Sequence, residues 1–88
     1  MRVVQYSIPI NMLHDTPDAI ATKRQYAKRQ AFAALNTELA DDTTYVLHTS
    51  QKWVAVSDPL GLDEMPIFGR GDGTYTYTIT YQAWSEEQ

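Results

Sequence analysis

The chain contains no cysteine, which excludes a disulfide framework and any thiolate metal site. Its two histidines, His14 and His48, stand far apart and outside any close-paired ligand motif, so no metal and no cofactor is expected. Glycine is absent until Gly61; the four glycines are Gly61, Gly69, Gly71 and Gly73. The segment Gly69-Arg70-Gly71-Asp72-Gly73 precedes a strand pattern and lacks a lysine. A phosphate cradle follows a strand and opens a helix, so this segment reads as a tight turn, and the embedded Arg70-Gly71-Asp72 shares that reading. No apolar run approaches the ~20 residues of a membrane-spanning helix. The opening Met1-Arg2-Val3-Val4-Gln5-Tyr6 turns polar too early for a secretory core, and a soluble, cytoplasmic protein is expected. Cations are also scarce in one half. Residues 45–88 hold only Lys52 and Arg70 against Asp58, Asp63, Glu64, Asp72, Glu86 and Glu87, so the net charge of −4 arises there. That imbalance favours a protein partner with a basic surface over nucleic acid, and no membrane.

What is present is a strong alternation. In Thr74-Tyr75-Thr76-Tyr77-Thr78-Ile79-Thr80-Tyr81-Gln82-Ala83-Trp84, apolar and aromatic residues occupy one parity and threonines the other, the signature of a half-buried strand. Val4, Tyr6, Ile8 and Ile10 mark an earlier strand from about Arg2 to Ile8, with Pro9 at its end or on an edge. Between them, Asp15-Thr16-Pro17-Asp18 combines a capping side chain, a first-turn proline and a carboxylate at the positive dipole end. From Pro17 to about Leu39 neither glycine nor a further proline interrupts, and Ile20, Ala27, Ala31, Ala34 and Leu35 recur at helical spacing. Asp41-Asp42 stops the helix, because carboxylates are unfavourable at its negative end.

Thr43–Thr49 and Lys52–Ser57 read as two short strands joined at Ser50-Gln51. A two-residue turn pairs Thr49 with Lys52 and Leu47 with Val54. Tyr45, Leu47, Val54 and Val56 then face the core, while Val46, His48, Trp53 and Ala55 face away. Residues 58–73 read as one long loop. The expected architecture is an α+β two-layer sandwich, one long helix on a four-stranded, mainly antiparallel sheet in the order β-α-β-β-β. It forms a single domain over residues 1–84, with an acidic tail at 85–88. The expected helix-facing core is Tyr6, Ile8, Ile20, Ala27, Ala31, Leu35, Leu47, Val54, Val56, Tyr77, Ile79 and Tyr81. Ile67 and Phe68 are expected to close one end of it.

No combination of side chains meets the requirements of catalysis. His14-Asp15 beside Ser7 or Thr16 lacks a nucleophile elbow and an oxyanion loop, so the protein is not expected to be an enzyme. The expected function is a non-enzymatic protein-binding module. Small acidic domains without cysteine are of the kind that phage and mobile-element genes make as inhibitors of host nucleic-acid machinery, including anti-CRISPR and anti-restriction types. Partner contact is expected from Trp53, Trp84 and His48 on the sheet face the helix cannot reach, joined by Asp63, Glu64 and Met65 of the long loop. A homodimer through that open face is a further expectation. The alternative is a nucleic-acid-binding domain using Lys23, Arg24, Lys28 and Arg29 of the helix.

Overall fold

The computed structural model describes residues 2–39, 45–55, 58–67 and 72–85. Its elements are β1 (Arg2–Asn11), α1 (Pro17–Glu38), β2 (Tyr45–Ala55), β3 (Asp58–Leu62) and β4 (Thr74–Ser85). They form one antiparallel sheet in the spatial order β1-β4-β2-β3. The strongly alternating last strand thus lies in the interior, flanked on both sides. No described helix is long and apolar enough to cross a membrane.

The helix begins as its capping residues dictate. Thr16 Oγ1 accepts a hydrogen bond from the Ala19 N–H at 3.1 Å, Pro17 occupies the first turn, and Asp18 follows. At the other end Leu39 leaves the helical conformation for an extended one. Asp41 and Asp42 lie outside the described residues. Ile20, Ala27, Ala31 and Leu35 are buried against the sheet, and the two alanines let the helix lie close to the tyrosines of β4. Twenty-two residues of helix span ~33 Å at ~1.5 Å per residue, similar to the strands beneath. The helix backbone lies against β1 and β4 and does not reach β2.

The sheet side of the core is Val4, Ile10, Trp53, Ala55, Tyr75, Tyr77, Ile79, Tyr81 and Ala83, all buried. Cross-strand rows explain the set, because residues opposite one another share a face. One row is Ile8, Tyr77 and Trp53, and the next is Ile10, Tyr75 and Ala55. Phe32 meets Tyr81 edge-on at 5.9 Å, and Tyr26 meets Tyr6 at 5.8 Å. Burial, with a smaller contribution from Tyr77, pushes the Tyr81 phenol above its ordinary value.

Three expectations are corrected here. The first strand continues through Pro9 to Asn11. Second, Ser50-Gln51 is no turn: β2 runs unbroken, and these residues pair with Thr80 and Ile79. Removing a two-residue turn inverts the parity of everything after it. Trp53 and Ala55 therefore face the helix, with Trp53 fully buried, while Val54 lies on the open face. His48 and Trp53 consequently lie on opposite faces and do not stack. Val56 lies outside the described residues. Leu47 shares the helix side but is 46% exposed, since the helix does not extend over β2. Third, the long loop contains β3, whose Leu62 and Asp58 pair with Trp53 and Ala55 across a bulge. Ile67 is 87% exposed and closes nothing; Phe68, Gly69, Arg70, Gly71 and residues 86–88 fall outside the described set.

One corner ties β1, the helix entry and β4 together. Asn11 Oδ1 accepts from the N–H groups of Leu13 and His14, and its amide donates to the Asp72 carbonyl at 3.2 Å and Thr74 Oγ1 at 3.4 Å. The Met12 N–H donates to the Gly73 carbonyl at 2.7 Å. Gly73 has φ +83°, and a Cβ there would meet Leu13 Cγ at 2.6 Å.

Two predictions follow from this packing. Trp53→Ala should cost ~3–5 kcal/mol as a large-to-small change in a full core. Leu47→Ala should cost less than ~1.5 kcal/mol, because half of that side chain already meets water. Urea titration decides, and a reversed order would restore the hairpin register. Gly73→Ala combines a left-handed backbone with a steric clash and should lose on the order of 1–3 kcal/mol; Gly73→Asn, which tolerates positive φ better but carries the same Cβ, should recover only part of it.

Candidate partner-binding surface

The four basic residues of α1 do not form one cationic face. At about 100° per residue, Lys23, Arg24, Lys28 and Arg29 are spread over some 240° of the helix circumference. Lys23 is held by Asp15 in an ion pair of 2.7 Å. Arg24 falls in the same stripe as Ile20, Ala27, Ala31 and Leu35, spaced four, three, four and four residues along the chain. It is a charged residue on the apolar side of the helix. Its guanidinium lies 5.9 Å from the Trp53 ring and 5.8 Å from the Tyr77 ring. Those rings are 4.6 Å apart and tilted by 54°. Aromatic faces attract a cation at such distances, so Arg24 caps the aromatic pair where no apolar helix residue does. The arrangement leaves Arg24 Nε, Trp53 Nε1 and the Tyr77 hydroxyl buried with no hydrogen-bond partner among the described residues.

The expected partner-binding residues separate into two places. Trp84 and His48 are on the open face as expected, beside Val46 and Gln82. Trp53 is on the other face and buried, so it offers nothing to a partner. Asp63, Glu64 and Met65 are exposed on the helix side near the opposite end of the sheet, where they line a concavity of about 520 Å³ with Leu62, Pro66, Ile67 and Tyr75. Trp84 and Tyr75 are nine residues apart on one strand, or ~30 Å at ~3.3 Å per residue. One small contact cannot use both groups at once.

Beside the expected Asp63, Glu64 and Met65, the structure exposes Leu62 and Ile67 on the same concavity and Leu60 on β3, which sequence reasoning missed. Leu60 is 82% exposed, Ile67 is 87% exposed, and Leu62 and Met65 are close to half exposed. Met65 also approaches Arg24, with its sulfur 3.9 Å from Nη1. Leu60 carried little signal, since Pro59 and Gly61 conceal an edge strand in what resembles a loop. Arg24 did carry one: its position in the apolar stripe is readable from spacing alone.

A second concavity, of about 310 Å³, lies between α1 and β2, lined by Arg24, Lys28, Thr49, Ser50, Gln51 and Ile79. Among the described residues its lining contains two cations, several hydrogen-bonding side chains and no carboxylate. Beside it runs the edge of β2. β3 covers that edge only at Trp53 and Ala55, and among the described residues nothing pairs with Tyr45–Lys52 on the side away from β4.

Among the described residues no three His, Asp or Glu side chains gather as a metal site would require. No family model, curated protein or solved structure matches this chain.

The Lys23–Asp15 pair gives a pH-dependent prediction. The hydrogen bond from Lys23, and after it the Asn11 N–H at 3.0 Å, hold the Asp15 carboxyl below its ordinary value of 3.8. A depressed folded-state value means that the contribution to stability is present above the ordinary carboxylate value and is lost as pH falls through the depressed one. Lys23→Met should therefore shift the Asp15 carboxyl midpoint upward, measured by carboxyl-carbon NMR titration. An unchanged midpoint would show that Asn11 alone sets it.

Proposed function

We propose that the protein is a non-enzymatic protein-binding module whose contact surface is the tip formed by β3 and residues 63–67. One observation carries this reading: Leu62, Met65 and Ile67 expose large apolar side chains around a concavity that also holds Asp63 and Glu64, and β3 adds the exposed Leu60. Isolated exposed leucines are ordinary, whereas clustered apolar side chains with a polar rim resemble the composition of interfaces. The apolar side chains supply surface to bury. The two carboxylates favour a partner with a basic surface and speed its approach. A host protein that handles nucleic acid has that chemistry, which is where the inhibitor expectation meets this surface. The nucleic-acid alternative draws no support from a helix whose four cations are spread around it, Lys23 in an ion pair, Arg24 against two rings, Lys28 at a cleft and Arg29 exposed apart from them.

The test is affinity capture from the source cells with three proteins of matched melting temperature: the parent, the double variant Leu60→Asp/Ile67→Asp, and Glu64→Lys. A partner held by the parent should be lost with the double variant. Glu64→Lys should slow its association about two- to tenfold at low salt and leave dissociation nearly unchanged. Identical capture by the parent and a folded double variant would overturn the reading.

A further inference from the structure

The free edge of β2 and the cleft beside it point to the form of the partner. Tyr45-Val46-Leu47-His48-Thr49-Ser50-Gln51 contains no Lys, Arg, Asp or Glu, and its outer backbone groups have no strand beside them among the described residues. Such an edge is a template for another strand, and proteins usually blunt it with charge or proline. The opposite edge of the sheet, β1, carries Arg2 and Pro9; this one carries neither. Seven residues give ~23 Å of pairable backbone. A strand added here lies ~4.8 Å beyond β2, and its alternate side chains project to the helix side, where α1 does not cover the sheet. That space is bordered by Arg24 and Lys28, with no acidic residue in the lining among the described residues, and Arg24 Nε is buried with no hydrogen-bond partner among them.

We propose that β2 accepts an extended segment of a protein partner as an added strand, with a carboxylate of that segment held by Arg24 and Lys28. Backbone pairing supplies affinity in this mode, and the side-chain site supplies selectivity. A second copy of this chain fits less well. β2 contains no Asp or Glu, and its one Lys or Arg is Lys52, so two paired β2 strands would leave Arg24 and Lys28 of both copies without an anion. A free phosphate would meet the cations but leave the edge unpaired. The inference rests on the binding-module reading and extends it from the tip to the adjoining edge.

The probe is a blocked octapeptide alternating valine and threonine with one central glutamate, titrated into the full-length protein. Backbone amide shifts in the NMR spectrum locate it, and calorimetry measures affinity. Shifts should concentrate on residues 45–51. Replacing the glutamate by glutamine should weaken binding about tenfold, as expected for loss of a charge-assisted hydrogen bond. N-methylation of alternate peptide amides should abolish binding. Lys28→Gln, a substitution at a half-exposed site, should weaken the glutamate peptide about tenfold and the glutamine peptide hardly at all. The proposal falls if the peptide does not bind at about 1 mM, if glutamate and glutamine peptides bind equally, or if shifts map elsewhere. It falls too if inorganic phosphate binds as tightly as the peptide, or if sedimentation shows a dimer that buries this edge. Capture that depends on Leu60 and Ile67 can survive any of these failures, so the tip reading and the edge reading are separable.

Discussion

A single helix is too narrow for the sheet it covers. With side chains an α-helix is about 10 Å across, and neighbouring strands lie ~4.8 Å apart, so one helix shelters two strands of four. Here it shelters β1 and β4, the pair whose inward residues include Tyr75, Tyr77, Ile79 and Tyr81. Everything on the β2 side must find other cover. At Trp53 that cover is the Arg24 guanidinium, beside which lies Met65. Further along β2 the cover ends, and Leu47 remains half in water. The cleft, the uncovered strip and the free edge are all consequences of this mismatch in width.

The same mismatch explains how far the architecture was legible in the sequence. The alternation of β4 and the punctuation of the helix by Thr16, Pro17 and Asp18 are strong local signals, and both elements stand where they were expected. β2 reads as two strands because Thr49-Ser50-Gln51 is polar on both faces, as a turn would be. A strand segment covered by a helix would have shown an apolar residue at Thr49 or Gln51; this segment has no such cover, so the pattern lapses in mid-strand. With the imagined turn went the parity, and with the parity Trp53. β3 was hidden for another reason. Pro59 is tolerated on an edge, and Gly61, at φ +76°, sits where a Cβ would come within 3.0 Å of the Trp53 carbonyl. Residues that read as loop punctuation are the requirements of a short strand at a bulge.

Arg24 is the position where local rules and the global fold disagree most. Its neighbours in the stripe obey the amphipathic pattern, and a leucine there would continue it. The protein instead keeps a cation, sets it against two rings and leaves buried polar atoms with no hydrogen-bond partner among the described residues. Departures of this kind, in an otherwise consistent sequence, tend to mark sites retained for function. The surface is also divided by charge: carboxylates gather at the tip beyond β3, and the cations Arg24 and Lys28 line the cleft beside β2. A partner reaching both regions would need opposite charges at its two contacts, a demand that narrows the range of acceptable sequences.

The threonine–tyrosine repeat of β4 has a consequence for how the chain reaches this state. Sliding Thr74–Thr78 by two residues replaces tyrosine with tyrosine and threonine with threonine, so both faces keep their character and the hydrophobic pattern scarcely resists the slip. What distinguishes the native alignment lies at the ends of the strand: the Asn11–Gly73 corner on one side, and Ile79 and Ala83 under the helix on the other. During folding the middle of the sheet can therefore zip in more than one alignment, and the corner acts as the arbiter. Misaligned species that lack it would have to melt the central ladder before correcting themselves, a source of internal friction written into the most regular stretch of the molecule.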